Sequence, residues 1–361
     1  MVETQSLPAN ADVVHDDFVT KLASGDTSVD VMAIDIIWPA EFGAANWLEP
    51  LDSYFSQQEL DALLPGAVKG GTYKDQLISV PWFSHGGVLY YRKDILEKAG
   101  KQPPKTFDEL LALSKELGGK DGTEFGFVFQ ANQYEGLVTN WLEYIWGNGG
   151  NVLDQDGKVV VNSANNIEAT QYMMDLVSTV APKGVTTYTE PESMQVFLEG
   201  KSVFHRGWPN VWVESQKEGS KVKDKVGIIP MPVGPQGTEP AATLGGLNLA
   251  INKNIDAKQK EAAVEFLRFM ISSEAQKIGV VDGGMPPVLK ASYEDPEILA
   301  AAPYMKEIYN ALITAKPRPV SPNYPKISDA IQRNIHKALT GVSTAEDALN
   351  TLQKEIEEIE K

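Results

Sequence analysis

The sequence predicts an α/β protein whose sheets are mainly parallel and flanked by helices. Three features carry that expectation: short β-branched apolar runs, longer amphipathic segments between them, and cap signals where those segments begin. Val29–Ile37 (VDVMAIDII) is the clearest run, short and almost wholly apolar, as a strand buried on both faces requires. Leu77–Pro81, Gly87–Tyr91 and Ser202–His205 are further strand candidates. In a capping box a Ser or Thr accepts from the third helical amide while a Glu or Gln reaches back. That pattern occurs at Ser56/Glu59, Thr106/Glu109, Ser273/Gln276 and Ser343/Glu346. The last opens a segment whose Ala348, Leu349, Leu352, Ile356 and Ile359 form one apolar stripe. Gly and Pro cluster at Pro230–Pro240, Gly283–Pro287 and Pro317–Pro325, marking loops or passages between packed units.

At 361 residues and 42% hydrophobic content, the chain has room for two domains or one two-lobed unit. A formal net charge of −17 argues against nucleic acid or an anionic membrane as partner, since both need clustered Lys and Arg. No apolar run reaches the length of a membrane span. Met1-Val2-Glu3 leads straight into polar sequence, so no signal peptide is expected, and an exported form would be processed or engineered.

Catalytic and metal signatures are sparse. There are no cysteines, and the four histidines (His15, His85, His205, His336) show no local metal-ligand spacing. Gly200-Lys201-Ser202 resembles the end of a phosphate loop, but Gln195 stands where its first glycine belongs. There a helix also runs into a strand, the reverse of the required order. No nucleophile elbow is present, and none of the 49 acidic residues is marked as half of a glycosidase pair. No cofactor, metal or enzymatic activity is therefore expected.

Five stretches then acquire meaning together. They are Asp30–Asp52, Val80–Gly100, Phe197–Trp212, Thr243–Lys253 and Pro317–Gly341. In this order they resemble the extracellular solute-binding proteins for maltose, trehalose and related oligosaccharides, and they span nearly the whole chain. The resemblance implies two α/β lobes joined by three crossings, with a sugar held between the lobes and delivered to the permease of an ABC importer. It places the first lobe at 1–84 with 244–286 and the second at 88–242 with 290–361. The crossings fall at 82–88, 243–247 and 286–290. A monomer outside the cytoplasm, periplasmic or at the cell surface, is implied. In the family a strand and helix precede the strand that Val2–Ser6 resembles. That unit is missing here, so a separate segment or a fusion partner is expected to supply it. An engineered sugar-binding scaffold or biosensor fragment is the alternative, and an extracellular glycoside hydrolase is a third reading.

A pyranose offers hydroxyl pairs at its edge and C–H groups on its faces, so its site needs flat aromatic platforms beside charged or amide groups. Trp208, between Gly207 and Pro209, projects from a strand-to-helix turn and is the first candidate platform. Asp35 ends a buried strand, near Trp38, and can accept from hydroxyls. Arg318 sits between two prolines on a stiff loop and can grip a diol, with Tyr324 in the same loop. Trp82, Phe83 and His85 lie at the first crossing, where relatives often place a tyrosine and an aspartate at the last two positions. Gly245 and Gly246 offer bare backbone, and Leu247 replaces a tryptophan found in several relatives. Tyr134 completes the set from a helical region whose other aromatics read as core.

Overall fold

The computed structural model describes residues 2–7 and 11–361, and its class is the expected one, sheets covered by helices. The strands are β1 (Val31–Asp35), β2 (Thr72–Tyr73), β3 (Gln76–Leu77), β4 (Val80–Gly86), β5 (Val88–Arg92), β6 (Phe125–Val128), β7 (Ser202–Gly207), β8 (Val226–Pro230), β9 (Ala242–Ile251) and β10 (Ala315–Lys316). One four-stranded sheet is built on β9, which pairs with β1, β4 and β10; the other has the order β6-β7-β5-β8. The hairpin β2-β3 stands apart.

The sheets are mixed rather than mainly parallel. Only β9 with β10 and β6 with β7 run parallel, whereas β9 opposes β1 and β4, and β5 opposes β7 and β8. The reason is connectivity. β4 passes through Gly86-Gly87 directly into β5, and β9 enters its sheet after β8 has left the other. A strand arriving from the neighbouring sheet is not held to the βαβ crossover that keeps neighbours parallel.

Three apolar clusters hold the layers. One, around Phe127, Trp141, Tyr144 and Ile331, fills one side of the β5–β8 sheet and buries the helices Glu135–Gly147, Tyr324–Leu339 and Ala345–Ile359 against it. A second runs beneath both sheets, joining Leu244 and Leu249 to Val88 and Ile228 through Met305, Ile308 and Leu312 of the helix Met305–Leu312. The third packs Val14, Phe18 and Leu22 of the helix Ala11–Ser24 on Met32, Ile34 and Ala250.

Several local expectations move. The boxes at Ser56/Glu59 and Thr106/Glu109 form as written. The other two caps sit one residue away, on Ser272 and Thr344, because a second hydroxyl residue adjoins each site. Val2–Ser6 forms no strand; it is exposed, and among the described residues β1 has a strand partner only in β9. Residues 286–290, expected to cross between lobes, lie along the β9 sheet. There Pro287 bridges to Phe83, Leu289 to Leu63, and Leu64 donates to the Val288 carbonyl. The passage into the helices of the first cluster comes later, between β10 and the helix at Tyr324.

Candidate functional site

The two sheets meet along one edge, and most of the residues singled out from sequence gather there. On the β9 sheet, Leu247 lies between Asp35 of β1 and Phe83 of β4. A bulge places Trp82 opposite no residue of β9, since Pro81 pairs with Asn248 and Phe83 with Leu247. Such an extra residue bends the strand and re-aims side chains. Trp82, Phe83 and His85 then form a chain of tilted rings with centroids 5.1 Å apart at each step. His85 continues to Trp208 at 6.1 Å. Burial holds the His85 imidazole neutral by pulling its pKa down to about 4.

The two glycines differ. Gly246 has φ +112°, where a side chain would strike the Phe83 carbonyl. Gly245 lies where the sheets come to ordinary contact: a Cβ there would stand 3.4 Å from both the Trp208 ring and the His85 Cβ, a distance that packing tolerates.

From the other sheet, Trp208 follows β7 and Tyr134 caps the helix after β6. These strands are parallel neighbours, so both rings stand at carboxyl ends, where α/β proteins place ligands. Glu190, at the start of the helix Glu190–Leu198, joins them: Tyr134 donates to its Oε2 at 2.8 Å and the Trp208 indole to its Oε1 at 3.3 Å. The Trp208 backbone is held by the Tyr90 hydroxyl, which donates to the carbonyls of Trp208 and Pro209 at 2.9 and 3.2 Å.

A polar edge completes the site. Arg318 donates through Nη1 to Glu135 Oε1 at 2.8 Å and through Nη2 to Asp35 Oδ1 at 3.2 Å. Its side chain is only 5% exposed, while Asp35 and Glu135 remain 26% and 30% exposed. Arg318 Nε has no partner. Glu135 also accepts from the hydroxyls of Tyr324 and Ser328. Burial raises the Asp35 pKa, and the guanidinium opposes that rise.

Two candidates stand elsewhere. Trp38 caps the helix Pro39–Ala44 and is buried, its ring 6.4 Å from Phe18 and 6.1 Å from Phe42. Its backbone N–H still donates to the Asp35 carbonyl at 3.0 Å, but its ring turns away into the third apolar cluster. Tyr324 belongs to the edge through its hydroxyl only, because its ring is buried. Glu135, Glu190 and Arg206 escaped the sequence reading. The first two are acids in the first turn of a helix, a position that could have marked them. Among the described residues no group of three or more His, Cys, Asp or Glu side chains could hold a metal, and no helix is long and apolar enough to cross a membrane.

Rings and charged groups from both sheets, side by side, are the equipment for holding a small polar solute. The chain belongs to the bacterial extracellular solute-binding protein family, whose model matches residues 2–277. It is 35% identical to a probable ABC transporter-binding protein of Deinococcus radiodurans over 367 aligned positions, covering 99% of this chain and 86% of that one. Among solved structures, a maltose-bound T. maritima MalE3 is 44% identical with a TM-score of 0.89, covering 98% of this chain and 90% of the other. A solute-binding protein from Agrobacterium radiobacter in complex with ribitol is 27% identical with a TM-score of 0.84, covering 96% and 89%. The family is one of solute binding, not catalysis, and its membership implies an extracytoplasmic location.

Proposed function

We propose that the protein binds a disaccharide or short oligosaccharide of the maltose and trehalose class between the two sheets and delivers it to the permease of an ABC importer. It would work as a monomer, in the periplasm or at the cell surface. The observation that carries the reading is a set of rings and polar groups brought together from both sheets. Trp208, His85, Phe83 and Trp82 supply ring faces, while Asp35, Arg318, Glu135, Glu190 and Tyr134 supply charged and hydroxyl groups. Faces for C–H groups beside hydrogen-bonding pairs for diols are what a pyranose requires. A ligand touching both sheets would favour the closed arrangement by its contacts to each.

The maltose-bound relative supports the sugar class, and the ribitol complex extends the panel worth testing to sugar alcohols. Calorimetry with maltose, trehalose, maltotriose, mannitol and ribitol, with and without chelator, tests the reading, together with a product assay. Micromolar, chelator-insensitive binding of one sugar, about −8 kcal/mol, with no product formed is expected. Binding of none of them, or binding lost in chelator, overturns it.

A further inference from the structure

Beneath the site lies an ion pair with no exposure on either side. Arg206 donates through Nε to Glu143 Oε2 at 2.8 Å and through Nη2 to Glu143 Oε1 at 2.5 Å. The third guanidinium nitrogen is held as well. Arg206 Nη1 reaches Gln130 Oε1 at 3.2 Å, and Gln130 Nε2 donates to the Arg206 carbonyl at 3.1 Å and to Ser193 Oγ at 2.7 Å. A buried pair whose charges are met on all sides is rigid, and it tolerates the loss of neither partner.

What the pair touches gives it a further meaning. The guanidinium lies 4.1 Å from the centre of the Trp208 ring, in reach of cation–π contact. Glu143 Oε1 also accepts from the backbone of Thr243 at 3.1 Å, two residues before Gly245. The Thr243 hydroxyl donates to the Thr139 carbonyl at 2.7 Å, one turn before Glu143 on the same helix. On the other crossing, a side chain at Gly87 would collide with both the Glu143 carboxylate and the Arg206 guanidinium. One carboxylate–guanidinium unit is thus in contact with the stacking platform and with two of the passages between the sheets, at Gly87 and at Thr243.

We infer that Arg206 and Glu143 are positioning residues for sugar binding: the pair fixes the plane of Trp208 relative to the two crossings, so that the platform is already set when the cleft closes. This rests on the reading that Trp208 contacts the sugar. Lysine at position 206 keeps the charge but loses the planar fork and its stacking on the indole, so Arg206→Lys isolates positioning from charge.

The test is a double-mutant cycle read twice, by sugar affinity and by denaturation midpoint, on wild type, Arg206→Lys, Trp208→Ala and the double variant. The probe is the tightest-binding sugar of the panel above. If Arg206 acts through the platform, Arg206→Lys weakens affinity at least five-fold in the wild-type background and less than two-fold once Trp208 is alanine. The denaturation midpoints are read alongside, so that an affinity loss that merely follows a loss of folded protein is recognised as such. Equal affinity losses in the two backgrounds, or no loss in either, overturn the inference while leaving the sugar reading in place. Unchanged affinity in Trp208→Ala alone, or no sugar bound by wild type, removes the reading and the inference together. Should Arg206→Lys not fold, Gln130→Met, which takes away only one contact of the guanidinium, enters the same cycle with the same criteria.

Discussion

Two buried arginines, each held by carboxylates, show how differently one chain can use the same chemistry. Arg206 and Glu143 are both wholly enclosed, paired in a fork, and cross-linked through Gln130. Arg318 is nearly as buried, yet one of its acids ends β1 and the other opens the helix Glu135–Gly147, both are about a quarter or more exposed, and its Nε has no partner. The first arrangement has nothing left to give. The second can exchange its partners for sugar hydroxyls at little cost, because water already reaches the acids and one donor is unused. A satisfied pair makes a frame; an incompletely satisfied one makes a site.

The largest expected effect sharpens that contrast directly. Glu143→Ala strands a fully buried guanidinium and should cost about 3–5 kcal/mol of unfolding free energy, measured by denaturant titration. Asp35→Ala should cost far less stability, because that acid is partly solvated, while weakening sugar binding. Equal stability losses in the two variants would erase the distinction between frame and site.

Next in size is the effect on binding. Arg318→Ala and Trp208→Ala should each weaken sugar affinity by about 2 kcal/mol, roughly thirty-fold, in calorimetry at neutral pH. A Trp208→Ala protein that is unstable but binds normally when folded would assign that ring to the core. A smaller and more selective change is expected from Phe83→Tyr and Leu247→Trp, which add a hydroxyl and a flat ring beside Asp35 and Trp208. The ratio of maltose to trehalose affinity should shift several-fold. Tight binding of both sugars by wild type, untouched by either change, would mean that these positions do not face the ligand.

Much of this was readable in advance, and the exceptions have physical causes. Strand runs, two capping boxes, Gly246 and the Trp208 turn are local signals, set by residues a few positions apart. Arg206 gave no signal, and Glu135 and Glu190 gave only a place in a helix's first turn, because a charged residue acquires its role from distant partners. Glu135 meets Tyr324 and Arg318 far along the chain, and nothing in its own neighbourhood says so. Trp38 is the opposite case: its backbone stays bonded to Asp35, but the start of the helix turns its ring into the core, a direction that position in sequence does not give. Strand direction was misjudged because β9 and β5 come from the neighbouring sheet, which periodicity cannot reveal.

The two sheets should also differ in local stability. β1 has one strand neighbour among the described residues, while β7 lies between β6 and β5. Hydrogen exchange should therefore show weaker protection over Asp30–Asp35 than over Ser202–His205, since amides with fewer ordered neighbours open more readily. Equal protection would mean that the helix Ala11–Ser24 secures β1 as well as a second strand would.

The smallest effect concerns two histidines, one near each sheet, whose titrations have opposite signs. His15 Nε2 donates to Glu41 Oε2 at 2.8 Å, and that bond, with the charges of Glu41 and Asp16, raises its pKa above the usual value against the cost of burial. His205 is enclosed beside Val128 and Phe197, and burial pulls its pKa down to about 3. A histidine with a raised folded pKa contributes stability that is complete below about pH 6.5 and disappears as pH rises through the folded value. One with a lowered pKa does the reverse, contributing above about pH 6.5 and losing it as the solution is acidified toward pH 3. The stability difference between wild type and His15→Gln should therefore be greatest near pH 5.5 and shrink by pH 8. It should amount to a fraction of a kcal/mol, since solvent reaches both members of the pair. The protein as a whole should still lose stability between pH 6 and pH 4, as His205 and His85 resist protonation. A His15→Gln difference that grows with rising pH would reverse the sign assigned to the Glu41 contact. It would also show that the helix Ala11–Ser24 is held by its apolar face alone.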